Sequence, residues 1–333
     1  MLIVIAIVGL VLGRLAAGWA SVLLEGMNSG GLLECASCRR PVSRRQRWLS
    51  WMPIWCECGT NPVRWHLASA VCLSALFAGF AWLLLGPLHC QDVTEVRPES
   101  LIRSRLPFHL LLLFLLWTAT LTDLLDYVIP DEVTWGGAGL ALLLATWSGD
   151  LQMMHLWVNW DLAMEGIHGP WSEQWLAWMN THPHLHGLAW SLAGLTTGGL
   201  LTWLLRWVSQ RLLGRPALGL GDATLMALAG AFLGWQATLC VLAIAPLTGG
   251  VIGVAVRVIS GRGFVAYGPY LAASAVLVMS AWRWLWADFL SLRDIFSHWP
   301  SVLGLIGFAF GTLSLLLLAL RVFRSITSRR DRR

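Results

Sequence analysis

Long apolar runs separated by short polar stretches dominate the chain. Runs long enough to cross a bilayer, or nearly so, cover about 2 to 24, 67 to 88, 106 to 122, 133 to 147, 188 to 208, 222 to 235, 237 to 258, 268 to 286 and 301 to 320. They predict an all-α polytopic membrane protein with about eight to nine transmembrane helices. The number turns on Gly234-Trp235, where a tight turn can join two runs, and on how far the first run inserts. That first run reads as a retained span rather than a signal peptide, because no positive segment precedes it and Arg14 interrupts it.

Arginines set the orientation. The stretch 25 to 66 carries Arg39, Arg40, Arg44, Arg45, Arg47 and Arg64, the 206 to 216 connection Arg206, Arg211 and Arg215, and the tail Arg321, Arg324, Arg329, Arg330, Arg332 and Arg333. Those segments are expected in the cytoplasm. The 148 to 187 segment, with Asp150, Asp161, Glu165 and Glu173 and no arginine, is expected on the other side. The chain thus divides into a first span (1 to 24), a cysteine-rich cytoplasmic loop (25 to 66), a membrane body (67 to 286) with an outer insertion (148 to 187), and a further helix with a basic tail (287 to 333).

Composition narrows the chemistry. At 57% hydrophobic and 12% charged residues the chain is too apolar for a soluble domain. All 23 basic residues are arginine, which excludes lysine-dependent catalysis. The arginines read as orientation signals, so no nucleic-acid partner is expected.

Two aspartates stand at the ends of apolar runs. Gly219-Leu220-Gly221-Asp222 places one carboxylate where a span begins, and Asp222 can cap that helix. Gly219 and Gly221 permit a tight turn and close approach of another chain. Asp123 closes the third run, before Pro130, which must end the helix between Asp123 and Ile129. Asp131 is expected to cap the next helix, with Pro130 fixing the turn. Two spans separate Asp123 from Asp222, so both fall on the cytoplasmic side. Two carboxyls sharing a site can act as one acid and one base, as an aspartic protease requires.

These residues resemble the type IV prepilin peptidases, membrane aspartic proteases of the Gly-x-Gly-Asp class. The resemblance rests on Asp123, Leu124, Pro130, Asp131 and Thr134, then on Gly219 to Asp222 with Ala227-Leu228-Ala229-Gly230-Ala231 and Leu233-Gly234-Trp235, and on Tyr267-Gly268-Pro269-Tyr270-Leu271-Ala272. It implies that Asp123 and Asp222 are catalytic and that Gly219, Gly221, Pro130 and Asp131 position backbone or substrate. The chain departs from the family in having Thr224 where a lysine is usual, and in its Trp- and His-rich insertion. The insertion's His155, His168, His182, His184 and His186 fit no standard metal spacing, and a folded or membrane-skimming loop is expected there. Pro216-Ala217-Leu218 resembles a presenilin-type motif but stands in the wrong place for it.

Cys35-x-x-Cys38 and Cys56-x-Cys58 read as a four-thiolate zinc knuckle, with free thiols as the alternative. Two-function prepilin peptidases carry such a loop and also methylate the new N-terminus with S-adenosylmethionine. The family's first-helix pattern is altered here at Gly18 to Val22, so peptidase activity is the firmer expectation. The expected function is removal of the basic leader from prepilins or type II secretion pseudopilins, in a bacterial inner membrane, with the active site at the cytoplasmic boundary. An ion- or proton-coupled transporter, or a non-catalytic assembly factor of a pilus or secretion system, are the rival readings.

Overall fold

The computed structural model describes residues 1–24, 64–91, 99–156, 177–214, 218–260 and 267–311. Cys35, Cys38, Cys56, Cys58, His168 and the basic tail lie outside the described residues. Within them the secondary structure is helical, without strands. Helix α1 spans Leu2–Leu23, α2 Arg64–Leu85, α3 Glu99–Asp126, α4 Asp131–Ser148, α5 Pro183–Leu213, α6 Leu220–Ser260 and α7 Gly268–Ser280. A π-helical turn at Trp284–Asp288, a short α8 at Leu292–Phe296 and an apolar α9 at Trp299–Gly311 follow.

Among the described residues, five helices are long and apolar enough to cross a membrane: α1, α2, α3, α5 and α6. α7 and α9 are shorter apolar helices. α7 stops at Ser280, short of the run that reaches residue 286, because the backbone changes to the π-helical turn beyond it.

The ends of α3, α4 and α5 follow local chemistry. α3 terminates at Asp126, and Tyr127 adopts a left-handed φ of 56° while its N–H returns to the Asp123 carbonyl. Pro130 is then extended and precedes α4, whose first turn carries Asp131 and Glu132. Asp131 is therefore not a cap. It is exposed in the first turn, where its charge opposes the positive end of the helix dipole. α4 closes on left-handed Gly149, and α5 opens with Pro183 and closes on left-handed Gly214.

The helix that organises the bundle is α6, whose most apolar window is 78% buried against 28% for α5. It packs most extensively on α5 and also touches α3, α4 and α7. Lipid is as apolar as leucine, so such contacts must be held by close packing and hydrogen bonds. The α5–α6 seam uses both. A Cβ on Gly194 would overlap the Gly230 carbonyl, and one on Gly198 the carbonyl of Met226, so these backbones touch where side chains are missing. Ser191 donates its hydroxyl to the Ala231 carbonyl at 2.7 Å across the same seam. The α1–α2 pair is built alike: Gly9 and Gly13 lie against Ser74 and Ala70, while Ser69 and Ser74 donate to the carbonyls of Gly13 and Ala6.

Gly234 divides α6 into two limbs. Its φ of 78° and ψ of 169° are non-helical, and the Trp190 indole fills the space a Cβ would need. Gly198 lies against both Met226 and Thr238, one on each limb, so the limbs fold back on each other at Gly234, as the tight turn expected at Gly234-Trp235 requires. Below it sits the shared core, in which Phe77, Phe80, Phe108, Leu112, Leu228, Phe232 and Trp282 are buried.

The seam makes a test possible. Gly198→Val should destabilise the protein by at least about 1 to 3 kcal/mol, since the obstacle is backbone rather than a movable side chain. Gly79→Ala, with open space around it, should leave stability within about 0.5 kcal/mol of wild type. Thermal unfolding in detergent compares them, and equal melting temperatures for the two variants would refute the seam.

Candidate active site

α3 and α6 bring Asp123 and Asp222 to the same end of the bundle. The path between them runs out along α4 and back along α5, and the antiparallel pairing is visible where Gly187 lies against the Ala145 carbonyl and Gly149 against Pro183. Both carboxyls are nearly dry, at 6% and 7% exposure, and Asp222 acts electrostatically on Asp123. Among the described residues neither forms an ion pair.

Each carboxyl is instead held by one main-chain amide. The Gly219 N–H donates to Asp222 Oδ2 at 2.7 Å. Gly219 caps α6 and Asp222 is its third residue, so this is the returning half of a capping box. The expectation that Asp222 caps its helix is met in that form. The Gly268 N–H donates to Asp123 Oδ2 at 2.9 Å, from the start of α7. In each case the other carboxyl oxygen carries no hydrogen bond among the described residues.

Glycines keep the two turns close. A Cβ at Gly268 would meet Asp123 Oδ2 at 2.5 Å and Ile129 Cδ1 at 3.0 Å, and one at Gly221 would meet Ile129 Cβ at 3.0 Å. Ile129 is therefore wedged between the turn that carries Asp222 and the turn that holds Asp123. Pro130, buried and extended, sets the direction in which Ile129 leaves α3. Asp126 is half-buried one turn beyond Asp123, and Asp131 is exposed, so neither joins the pair.

Three further groups surround it. Tyr267 precedes α7, and burial, with the Asp222 charge second, pushes its phenol up to about 12, so it remains a neutral O–H. Arg206 on α5 acts electrostatically on Asp222, and its Nη1 donates to the Leu218 carbonyl at the entrance of the Gly-Leu-Gly-Asp turn. Thr224, at the position expected to differ from the family, returns its hydroxyl to the Gly221 carbonyl at 3.1 Å. The sequence motifs signal Asp123, Asp222, Gly219 and Gly221. They do not signal that Gly268 supplies an amide to Asp123, nor that a cation reaches Asp222 from a neighbouring helix.

The outer histidines are used structurally where they are described. His186 accepts from the Leu156 N–H at 3.1 Å and contacts Gln152, while Trp235 and Gln236 donate to the Leu156 and His155 carbonyls. Among the described residues no group of three or more His, Cys, Asp or Glu side chains could hold a metal ion.

An arrangement of two buried, amide-tethered carboxyls within each other's field can divide acid and base roles between them. Comparison with known proteins finds similarity to leader peptidases. The type IV leader peptidase family matches residues 175–254, which include Asp222 and the whole α5–α6 seam. The chain is 30% identical over 177 residues to a prepilin leader peptidase/N-methyltransferase of Aeromonas salmonicida (strain A449), covering 50% of this chain and 56% of the relative. It is 28% identical over 293 residues to the protein of the same description from Pectobacterium carotovorum subsp. carotovorum, covering 79% and 93%. With that of Dickeya chrysanthemi it shares 39% identity over 90 residues, 26% of this chain and 32% of the relative. The match thus spans about half the length of the Aeromonas relative, and no solved structure matches the chain. On these matches the chain is similar to the type IV leader peptidase family.

Proposed function

We propose that the chain is a membrane aspartic endopeptidase that removes the basic leader of prepilins or type II secretion pseudopilins. The observation that carries this reading is the carboxyl pair: Asp123 and Asp222, each buried and each pinned through Oδ2 by a glycine N–H. Pinning one oxygen of each leaves the other for water and the scissile peptide. One carboxylate takes a proton from the attacking water while the protonated partner donates to the peptide carbonyl, and the proton is passed on to the leaving amine. Burial strengthens both transfers by excluding competing water.

An extended substrate must reach the dyad past the Gly-Leu-Gly-Asp turn, where Gly219 and Leu220 are exposed. A groove of about 440 Å³ runs between α2, α3 and α7, with Thr120 and Pro269 at the end nearest Asp123 and Gly268. Its walls, including Leu113, Trp117, Ala272 and Val276, are apolar, which suits the hydrophobic stem that follows a pilin leader. In this reading the protein is a bacterial inner-membrane enzyme of eight or nine spans, cut open to the cytoplasm at Asp123 and Asp222. Residues 67 to 286 form its body, and the 25 to 66 loop is a zinc knuckle ligated by Cys35, Cys38, Cys56 and Cys58. Methyl transfer to the new N-terminus is a separate step, for which S-adenosylmethionine is the donor.

Asp123→Asn and Asp222→Asn, each alone, should lower leader cleavage by about 10³-fold or more while the protein still inserts, because neither half of an acid–base pair works without the other. Mass spectrometry of a pilin-like substrate, with and without S-adenosylmethionine, reads leader loss and methylation separately. Undiminished cleavage by either variant would remove the dyad, and proton flux requiring both aspartates without cleavage would favour the transporter reading. The knuckle predicts about one zinc per chain by elemental analysis, lost in Cys35→Ser and Cys56→Ser. Equal zinc content in wild type and both variants would eliminate it.

A further inference from the structure

We propose that Arg206 and Thr202, one turn apart on α5, are positioning residues for Asp222: Arg206 clamps the Gly-Leu-Gly-Asp turn and sets a fixed positive charge beside it, and Thr202 presents a hydroxyl to the carboxyl from the same helix face. The proposal rests on the peptidase reading for its catalytic consequence but on the α5–α6 seam for its geometry.

The seam has a constant register. Trp190 fills the space beside Gly234, Gly194 lies on Gly230, Gly198 on Met226, and Arg206 bonds the Leu218 carbonyl. Each step of four along α5 is a step of four back along α6. The same register pairs residue 202 with residue 222. The neighbouring contacts agree, since a Cβ at Gly199 would touch Ala227 and approach the Ala223 carbonyl. Thr202 is fully buried, as a residue facing α6 should be.

Its hydroxyl is uncommitted. Thr118, Thr146, Thr196 and Thr238 each return their hydroxyl to the carbonyl four residues back, the usual choice for threonine in a helix. Thr202 does not, and its Oγ1 has no partner among the described residues. A buried hydroxyl left unpaired is costly, about 1 to 3 kcal/mol, unless something at the site uses it. Asp222, with Oδ2 on the Gly219 amide and Oδ1 still to be satisfied, is the acceptor in register.

Arg206 supplies what Thr202 cannot. Its Nη1 holds the Leu218 carbonyl, and Leu218 immediately precedes the Gly219 amide that pins Asp222. The guanidinium therefore fixes the peptide from which the pinning N–H projects. Its half-buried position lets the charge reach Asp222 with little screening. Arg211, the next cation on α5, is engaged over the Trp207 ring at 5.2 Å. The groups that face Asp222 are thus Asp123 from α3, Tyr267 before α7, and Arg206 with Thr202 from α5. Within its own motif the position two residues on is neutral Thr224, so the cation for this carboxyl comes from α5 instead.

Leader cleavage by the full-length protein in detergent, followed from pH 5 to 9, tests the pair. Arg206→Met should lower kcat/KM by about 10- to 100-fold and move the acid limb of the profile to higher pH, by about one unit, because removing a cation disfavours the ionised carboxyl. Arg206→Lys should restore the limb but recover only part of kcat, since an ammonium keeps the charge and loses the fork. Thr202→Val should lower kcat about threefold to tenfold with KM unchanged, and Thr202→Ser should restore it. A merely structural role would lower the melting temperature of these variants and leave the limb and the kcat of the folded fraction where they were, which would overturn the proposal. Infrared titration gives a readout without substrate, the Asp222 carboxyl band being assigned by difference from Asp222→Asn. A higher midpoint in Arg206→Met supports the clamp even where no pilin is cut, and an unchanged midpoint refutes it. Failure of the peptidase reading shows separately, as wild type and Asp222→Asn being alike in the cleavage assay.

Discussion

Two helix backbones in contact without intervening side chains are what the rest of this structure depends on. Between membrane helices the hydrophobic effect offers little discrimination, so α5 and α6 are held by how closely they can approach. Gly194, Gly198 and Gly230 remove the obstacles, and Ser191 adds a hydrogen bond across the seam. That contact fixes the height of α6 relative to α5 and so fixes where Asp222 begins. It also brings Arg206 level with Leu218. Shift the seam by one turn and the carboxyl moves by about 5.4 Å along the helix axis.

The second half of the site depends on a different contact. Asp123 leaves α3 at its last turn and is caught by α7, whose first amide belongs to Gly268. Ile129 fills the gap between the two turns and touches the positions of both Gly221 and Gly268. The left-handed Tyr127 and extended Pro130 direct the chain so that Ile129 can do so. The result is a small polar centre built entirely at helix ends, where backbone amides have no partner inside their own helix. A membrane protein has few other free donors to offer.

Much of this can be read from residue order. Uninterrupted apolar runs locate every long helix, because a span must be apolar on all sides and its length is set by the bilayer. Pro130 and Gly149 mark real boundaries, and Gly234 marks a real turn between two helical limbs. The two aspartates stand out because a carboxyl at the end of an apolar run is expensive. What order along the chain does not carry is the identity of main-chain donors. Gly268 is 145 residues from Asp123, and nothing in either segment's pattern says that one will hold the other. Arg206 is hidden for a related reason: in a basic connection it looks like every other orientation signal, and only the α5–α6 register shows where it reaches. Asp131 illustrates the opposite error, a plausible cap that lies one position too late because Pro130 takes the capping place.

Pinning by backbone amides gives this centre an unusual kind of robustness. A side-chain donor can be lost by almost any change at its codon, whereas the amide at 219 or 268 survives every replacement except proline. What can be lost is the path of the turn that aims it, and at Gly268 even one added methyl group would press on the Asp123 oxygen. The information that holds the two carboxyls is therefore stored as shape, in the absence of side chains at a few points, and not as a set of recognisable functional groups.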